Sequence, residues 1–390
     1  MKNAVEKSEV RLLAALIAGL LNGSVVAASL SDVHVLRDES RCAVEKCAGI
    51  FEGEMRDGVI HGAVVVAGGV NGSDVVASWG WADAAHAVPM TPSTVIDMAS
   101  VTKTAAGVTA CLVAHYRGLM DFDASFTNYL SSYAAPLPRN ITVRDIANHV
   151  SGFGEADGAP RVYFDSDAGK MLGNVLLMPP ALPKHGEVKY SCRNYILLGR
   201  LFESVAGREA EDFCRREIFA PAGMKDTSLG APNPAIGKDR LAQTMGTDRP
   251  GVISDFVARP LWAKGIGTFN AGLFSTAEDM ARLLRIYLRG GVCDDGTRIF
   301  GEREMKQIAP VEGDRTEGAR RFGWQYATKD LPEKLSGSAL FHSGWSGQTV
   351  LFDLRKQRYA VVLTTRCGDY ARAKKDRFAA IAALLCTKAD

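Results

Sequence analysis

The chain lacks an excess of charge of either sign. Its 390 residues include 46 lysines and arginines and 44 aspartates and glutamates, so the net charge is +2. The two signs are well mixed, and no basic stripe of the kind that binds nucleic acid is present. We therefore expect no nucleic-acid partner.

Short motifs for metals, nucleotides and common hydrolases are also missing. The eight cysteines and seven histidines form no C-x-x-C and no zinc spacing. The chain has no H-E-x-x-H, no P-loop, no complete G-x-G-x-x-G and no G-x-S-x-G. We therefore expect no metal and no cofactor. A dinucleotide enzyme and an ordinary α/β-hydrolase are both disfavoured, and the sequence leaves open whether any cysteines pair.

No apolar run is long enough to span a membrane comfortably. The N-terminus instead has the layout of a secretory signal peptide, because Lys2, Lys7 and Arg11 precede an apolar run over 12–21. Small residues then end at Ala28, which predicts a signal peptide over 1–28. An amphipathic or anchoring helix is the alternative. The first interpretation predicts a periplasmic or secreted protein.

The only S-x-x-K in the chain consists of Ser100 and Lys103. The segment 104–116 has apolar residues at helical spacing, so the two side chains are expected on one face at a helix start. Unpaired N–H groups and the helix dipole favour negative charge there. A lysine can take the serine proton only if burial lowers the lysine pKa. An ordinary helix start with Ser100 as N-cap is the alternative.

Apolar patterns predict strands near both ends of the chain and helices between them. Helices are expected over 40–57 and 370–386, and strands over 62–67, 75–81, 338–342, 348–353 and 358–364. We expect an α/β (α+β) fold with an antiparallel five-stranded sheet flanked by terminal helices. Residues 29–104 and 311–390 would form this sheet domain, and 105–310 an inserted, mostly helical domain.

The order of several segments resembles the serine β-lactamase and penicillin-binding protein superfamily. Within it, the chain is most similar to the class C β-lactamase-like branch, which includes DD-carboxypeptidases, D-aminopeptidases and β-lactamase-like esterases. The resemblance runs from about Phe51 to about Arg366 and implies a β-lactamase/transpeptidase-like fold. Besides S-x-x-K, the segments are 80–83, 89–91, 149–153, 222–227, 272–276 and 342–344.

The resemblance implies three catalytic side chains. Ser100 would be the nucleophile and Lys103 its partner, while Tyr190 matches the tyrosine of a Tyr-x-Asn motif and would share proton transfer. A phenol needs a nearby cation to act as a base, and Lys103 can supply it. Cys192 replaces the asparagine of the motif and so loses one donor and one acceptor. We expect this to change substrate choice rather than abolish the chemistry, and a second reactive thiol stays open.

The third motif of the superfamily, Lys/His-Thr/Ser-Gly, resembles His342, Ser343 and Gly344. Histidine is only partly charged near neutral pH, so we expect it to hold a substrate carboxylate less firmly than lysine would. Gly344 would let a ligand backbone come close to the strand. By the same analogy, the backbone N–H groups of Ser100 and Trp345 would form an oxyanion hole.

These features predict a serine hydrolase that forms an acyl-enzyme with a small-molecule or peptide substrate. The carbonyl could belong to an ester, a D-amino-acid peptide or amide, or a β-lactam. Cys192 and His342 favour an esterase or peptidase over an efficient β-lactamase. An acyltransferase stays open, and a non-hydrolytic penicillin- or peptidoglycan-binding protein is the alternative from another class.

Overall fold

The structure is a computed structural model that describes residues 33–35, 38–137, 140–154, 163–180, 187–311, 314, 316–326, 328–329 and 331–385. The predicted signal peptide over 1–28 lies outside these residues. Within the described ranges, no helix has the length and apolarity needed to cross a bilayer. The seven cysteines in this part of the chain form no disulfide with one another.

One large antiparallel sheet joins the two ends of the chain. Its strands are β1 (Val33–Val35), β2 (Ile60–Gly69), β3 (Gly72–Gly80), β7 (Arg320–Arg321), β8 (Trp324–Gln325), β9 (Ala339–Ser343), β10 (Gln348–Asp353) and β11 (Arg358–Arg366). They follow the order β1-β3-β2-β11-β10-β9-β8-β7. The five predicted strands form its centre. The sheet has eight strands because β1, β7 and β8 also pair, and such short strands show no periodicity in the sequence.

The central strands are buried on both faces, as their continuous apolar runs predict. In β2, Val64 and Val66 pack toward the helices of the middle of the chain. Val65 points the other way and packs with Phe51 and Ile381 from the two terminal helices. Successive side chains of a strand alternate between faces, so one strand contributes to both layers of the core.

Ten α-helices are found in the described ranges, and two of them, one near each end of the chain, cover one face of the sheet. They are α1 (Asp38–Arg56), α2 (Thr109–Tyr116), α3 (Val143–Ala147), α4 (Ala168–Leu177), α5 (Cys192–Ala206), α6 (Ala210–Cys214), α7 (Ala258–Ala263), α8 (Ala277–Leu288), α9 (Glu302–Ile308) and α10 (Tyr370–Leu385). Helices α1 and α10 pack on each other and on the sheet, while α8 packs against β2, β10 and β11 from the opposite side.

The segment after Ser100 is less regular than the predicted helix over 104–116. A 3₁₀ turn, Ala99–Val101, is followed by a π-helical stretch, Lys103–Val108, and only then by α2. Gly107 lies in the π-helical stretch, and an added Cβ there would come within 2.8 Å of Phe269. The glycine therefore lets Phe269 pack directly on the wider turn. Such π turns often occur at functional sites.

A second, small sheet fixes the segment that precedes Ser100. Its strands are β4 (Ile96–Asp97), β5 (Ser228–Leu229) and β6 (Leu273–Ser275), in the order β4-β6-β5. Met98 extends this pairing, because its N–H donates to the Leu273 carbonyl at 2.8 Å. The sequence analysis did not predict this sheet. It places Ser100 where the helices meet the end of β9.

Candidate active site

Ser100, Lys103 and Tyr190 meet in one cluster. Lys103 Nζ lies 3.1 Å from Ser100 Oγ, and Tyr190 Oη lies 2.8 Å from the same oxygen. Lys103 is fully buried, whereas the Tyr190 side chain is 42% exposed. The hydroxyl of Ser100 is therefore within proton-transfer distance of two groups. Tyr190 comes from a distant part of the sequence and lies two residues before the start of α5.

Lys103 has the surroundings of an ammonium group. Besides Ser100 Oγ, it donates to the Asn270 carbonyl oxygen at 2.8 Å and to Cys192 Sγ at 3.7 Å. Burial alone would lower the Lys103 pKa, but its acidic neighbours, Cys192 and Tyr190 first, outweigh burial and raise that pKa. The condition under which Lys103 alone would take the serine proton, a lowered pKa, is therefore not met. Three acceptors around three N–H donors favour the charged lysine.

Cys192 lies beside Lys103, in the position that the Tyr-x-Asn motif suggests. It is the first residue of α5, whose N-cap is Ser191. The Ser191 hydroxyl accepts from the Arg193 N–H at 3.1 Å, which closes the first turn of the helix. The Cys192 side chain is only 4% exposed. A thiol thus occupies the space beside the lysine where the motif would place an amide.

Asn194 does not replace the missing amide. It is fully buried and turned toward the loop before α4, where its Oδ1 accepts from Ser151 Oγ at 2.7 Å. Its Nδ2 donates to His149 Nδ1 at 3.1 Å, and the Ser191 N–H donates to the same nitrogen at 3.2 Å. Because His149 Nδ1 accepts two hydrogen bonds, the proton of the neutral ring is on Nε2. His149 thus positions the backbone between Tyr190 and Cys192.

His342 faces this cluster but does not carry the expected partial charge. It is 3% exposed, and burial lowers its pKa well below the usual value, helped by the positive charges of Arg320 and Lys103. Its Nδ1 lies 3.1 Å from the Ser343 carbonyl oxygen, which can only accept, so Nδ1 carries the proton. Because burial lowers this pKa, the ring offers a substrate carboxylate less positive charge than the sequence analysis expected.

Arg320 is a cation that the sequence analysis missed. Its guanidinium carbon lies 5.3 Å from the centre of the Tyr190 ring, on the edge strand β7. Nη1 donates to the Gly323 carbonyl at 2.9 Å, which holds the group in place. A short strand in a region without apolar alternation offers no signal from which this neighbour could be predicted. Arg320 and Lys103 together make the surroundings of Tyr190 positive.

The remaining residues of the third motif, Ser343 and Gly344, make close contacts within the protein. Ser343 Oγ bonds to Thr349 Oγ1 at 3.0 Å, and Thr349 also accepts from Arg377 of α10, so this hydroxyl faces the terminal helices. An added Cβ on Gly344 would lie 2.9 Å from the Met98 carbonyl oxygen. The absence of a side chain at Gly344 therefore lets the chain just before Ser100 pack closely on it.

The two N–H groups predicted for the oxyanion hole belong to Ser100 and Trp345. Among the described residues, neither N–H has a hydrogen-bond partner. Ser100 follows Ala99, whose φ of +44° is rare outside glycine, and Trp345 follows Gly344 directly. Strained backbone before a nucleophile can serve to aim a peptide group. The arrangement leaves both donors available for an acceptor near the Ser100 hydroxyl.

Comparison with known proteins agrees with this architecture. The beta-lactamase family model matches residues 48–385. A putative D-alanyl-D-alanine carboxypeptidase of Salmonella gallinarum is 25% identical over 328 residues, covering 74% of this chain and 75% of the relative. A penicillin-binding protein homologue from Caulobacter crescentus is 21% identical, with a TM-score of 0.70 over 91% of this chain and 100% of its own.

A family VIII carboxylesterase is similar in structure as well, with a TM-score of 0.68 and 20% identity over 90% of this chain and 100% of its own. These likenesses confirm the predicted β-lactamase/transpeptidase-like fold. Since the family model spans most of the sequence, the resemblance noted in the sequence is confirmed too. The chain belongs to the beta-lactamase family and is a serine hydrolase.

Proposed function

We propose that the chain hydrolyses carboxylic esters through an acyl-enzyme on Ser100. The observation that carries this proposal is the pair of contacts from Ser100 Oγ, 3.1 Å to Lys103 Nζ and 2.8 Å to Tyr190 Oη. In our mechanism, a Tyr190 phenolate beside the Lys103 ammonium takes the Ser100 proton as Oγ attacks the ester carbonyl. Tyr190 returns the proton to the departing alkoxide, and water then releases the carboxylic acid.

Two features favour an ester substrate. They disfavour a substrate that carries a carboxylate, and one that must be bound by a side-chain amide of the enzyme. His342 is buried and neutral, so it offers no positive charge to a carboxylate. Cys192 offers a weak S–H donor where an amide would supply stronger donors. The chain resembles both a named carboxylesterase and a named putative carboxypeptidase, and these two residues favour the first.

The test is a substrate panel with matched serine variants. Wild-type protein, Ser100→Ala and the exposed-site control Ser93→Ala are assayed with 4-nitrophenyl acetate and butyrate, a D-Ala-D-Ala peptide and a chromogenic cephalosporin. We expect ester turnover in the wild type and in Ser93→Ala, and none in Ser100→Ala. A fluorophosphonate should add covalently to Ser100, as located by peptide mass mapping.

Two results would contradict the proposal. Covalent labelling of another residue would remove Ser100 from the reaction. Absence of turnover on every ester, together with stable labelling by a fluorescent penicillin, would instead support the non-hydrolytic binding protein. Addition of a simple alcohol to the ester assay reports on acyl transfer, because an acyltransferase would form the new ester faster than the free acid.

We also propose that the protein is exported to the periplasm or secreted. The support is the order of basic residues, apolar run and small residues that ends at Ala28. Expression in a Gram-negative host, followed by fractionation and mass measurement of the mature N-terminus, tests this. We expect periplasmic protein that begins at Ser29; cytoplasmic protein with an intact N-terminus would refute export.

A further inference from the structure

A buried carboxylate connects the two sides of the predicted oxyanion hole. Asp97 is 1% exposed and accepts from the Ala99 N–H at 3.2 Å through Oδ1. Its Oδ2 accepts from the Ser254 N–H at 2.8 Å and from the Ser254 hydroxyl at 2.5 Å. None of these partners carries a positive charge. Three hydrogen bonds offset the cost of burying this carboxylate and hold it in one orientation.

The first side of the hole is the peptide between Ala99 and Ser100. The Ala99 N–H is held by Asp97, and the Ala99 carbonyl oxygen accepts from the Thr102 hydroxyl at 2.6 Å. In a trans peptide, the N–H of the next residue points opposite to the carbonyl. Because the Ala99 carbonyl points toward Thr102, the Ser100 N–H points away from Thr102. This orientation requires the positive φ of Ala99, which the hydrogen bond to Asp97 stabilises.

The second side is the peptide between Gly344 and Trp345. The Gly344 carbonyl accepts from the Gly347 N–H at 3.2 Å, so the Trp345 N–H points the other way. The next residue, Ser346, is fully buried; its hydroxyl donates to Gln348 Oε1 at 3.0 Å, and its Oγ also lies 3.3 Å from Ser254 Oγ. Ser254 is the residue that donates twice to Asp97. The loop that carries the Trp345 N–H is thus in contact, through Ser346, with the serine that holds the carboxylate.

We propose that Asp97 is a positioning residue that holds the Ser100 and Trp345 N–H groups in register through Ala99, Ser254 and Ser346. The inference rests on the proposed function, because the two donors matter only if an oxyanion forms at Ser100. Asparagine cannot replace this carboxylate fully, since only one of its two terminal atoms accepts hydrogen bonds. Donors fixed before the reaction need no reorganisation as charge develops, which is why their spacing affects rate more than substrate binding.

The experiment compares Ser346→Ala, Ser254→Ala, Ser254→Thr and Asp97→Asn. We expect kcat for 4-nitrophenyl butyrate to fall about 10- to 100-fold in the first two, with KM within about threefold of wild type. Ser254→Thr keeps the hydroxyl and should restore most of kcat. Ser336→Ala is the matched control, because Ser336 also donates to a buried aspartate, Asp353, at a distance from the site. It should leave kcat unchanged.

A second readout keeps the two proposals separate. The rate at which a fluorophosphonate labels Ser100 depends on the oxyanion hole but needs no turnover, so we expect Ser346→Ala to slow labelling by a similar factor. Wild-type kcat and labelling rates in Ser346→Ala and Ser254→Ala would overturn the positioning role. Failure of the proposed function would show differently, as absence of ester turnover in the wild type itself. If Asp97→Asn does not fold, the serine variants still decide the question.

Discussion

Cys192 Sγ lies 3.7 Å from Lys103 Nζ, at the first turn of α5. The thiol therefore sits against the cation that also contacts the Ser100 hydroxyl. Cys192 is 4% exposed, and it acts on the site through its shape and its contact with Lys103. This contact makes the substitution at position 192 a direct probe of substrate choice.

We predict that Cys192→Asn raises the turnover of at least one amide or β-lactam. The amide side chain restores a donor and an acceptor beside Lys103, and one such hydrogen bond is worth about 10- to 100-fold in rate. Cys192→Ala is the control and should show no gain, because it restores neither group. Steady-state kinetics on a D-Ala-D-Ala peptide and a cephalosporin make the measurement. Equal rates for both variants on every substrate would place residue 192 outside the substrate's reach.

We predict that Tyr190→Phe lowers the acylation rate by about 10²- to 10⁴-fold, the usual contribution of general base catalysis. The acidic neighbours of Lys103 raise its pKa despite burial, so in our mechanism the Tyr190 oxygen accepts the Ser100 proton. Tyr195→Phe is the matched control, since its ring centre also lies near Lys103 Nζ, at 5.8 Å, but its hydroxyl donates to the Ala147 carbonyl. Stopped-flow acylation separates the variants. Similar rates in both would return the base role to Lys103.

We predict that Gly344→Ala reduces kcat at least about tenfold. The new Cβ would lie 2.9 Å from the Met98 carbonyl oxygen and 2.4 Å from Gln348 Oε1, so the segment before Ser100 must shift. A displacement near 1 Å can cost about 100-fold in rate. Gly337→Ala is the control, because an added Cβ there meets nothing within 4 Å. Ester kinetics and thermal melting of both variants test this; an unchanged kcat in Gly344→Ala would show that Met98 is free to move.

We predict that Glu54→Gln stabilises the protein at pH 8 but not at pH 4.5. Glu54 is fully buried, and burial raises its pKa from 4.5 to about 7, with Asp376 adding to the effect and Arg377 opposing it. Within the described residues, its carboxylate oxygens have no hydrogen-bond partner. The folded protein keeps a proton that the unfolded chain releases, so the free energy of unfolding falls as pH rises between these two values.

The size of this effect is about 3–4 kcal/mol at most, because the pKa rises from 4.5 to about 7 and one pKa unit corresponds to ~1.4 kcal/mol. The glutamine variant lacks the titration, so its melting temperature should exceed that of the wild type by several degrees at pH 8. Glu52→Gln on the exposed side of α1 is the control and should show no such difference. A Glu54→Gln melting temperature that differs from the wild type equally at both pH values would refute the explanation.

The sequence by itself determined the features that depend on neighbours along the chain. Apolar runs such as 62–67 and 348–353 specify the five central strands, because burial on both faces demands continuous apolar residues. Ser100 and Lys103 are three residues apart, so their side chains must lie close together. The distance from Ser100 Oγ to Lys103 Nζ is 3.1 Å. The resemblance of residues 190–192 to the Tyr-x-Asn motif likewise implies that Cys192 stands where the motif has an amide.

Only the tertiary structure decided the protonation states and the short strands. The Lys103 pKa depends on Cys192 and Tyr190, and the neutrality of His342 depends on burial and on Arg320, which are all distant in sequence. Strands of two or three residues, such as β4, form because neighbouring segments present unpaired backbone, not because of their own pattern. Electrostatic interactions and backbone pairing act between residues that are distant in sequence. A sequence pattern therefore predicts which groups are present, but not which charges surround them or which backbone they pair with.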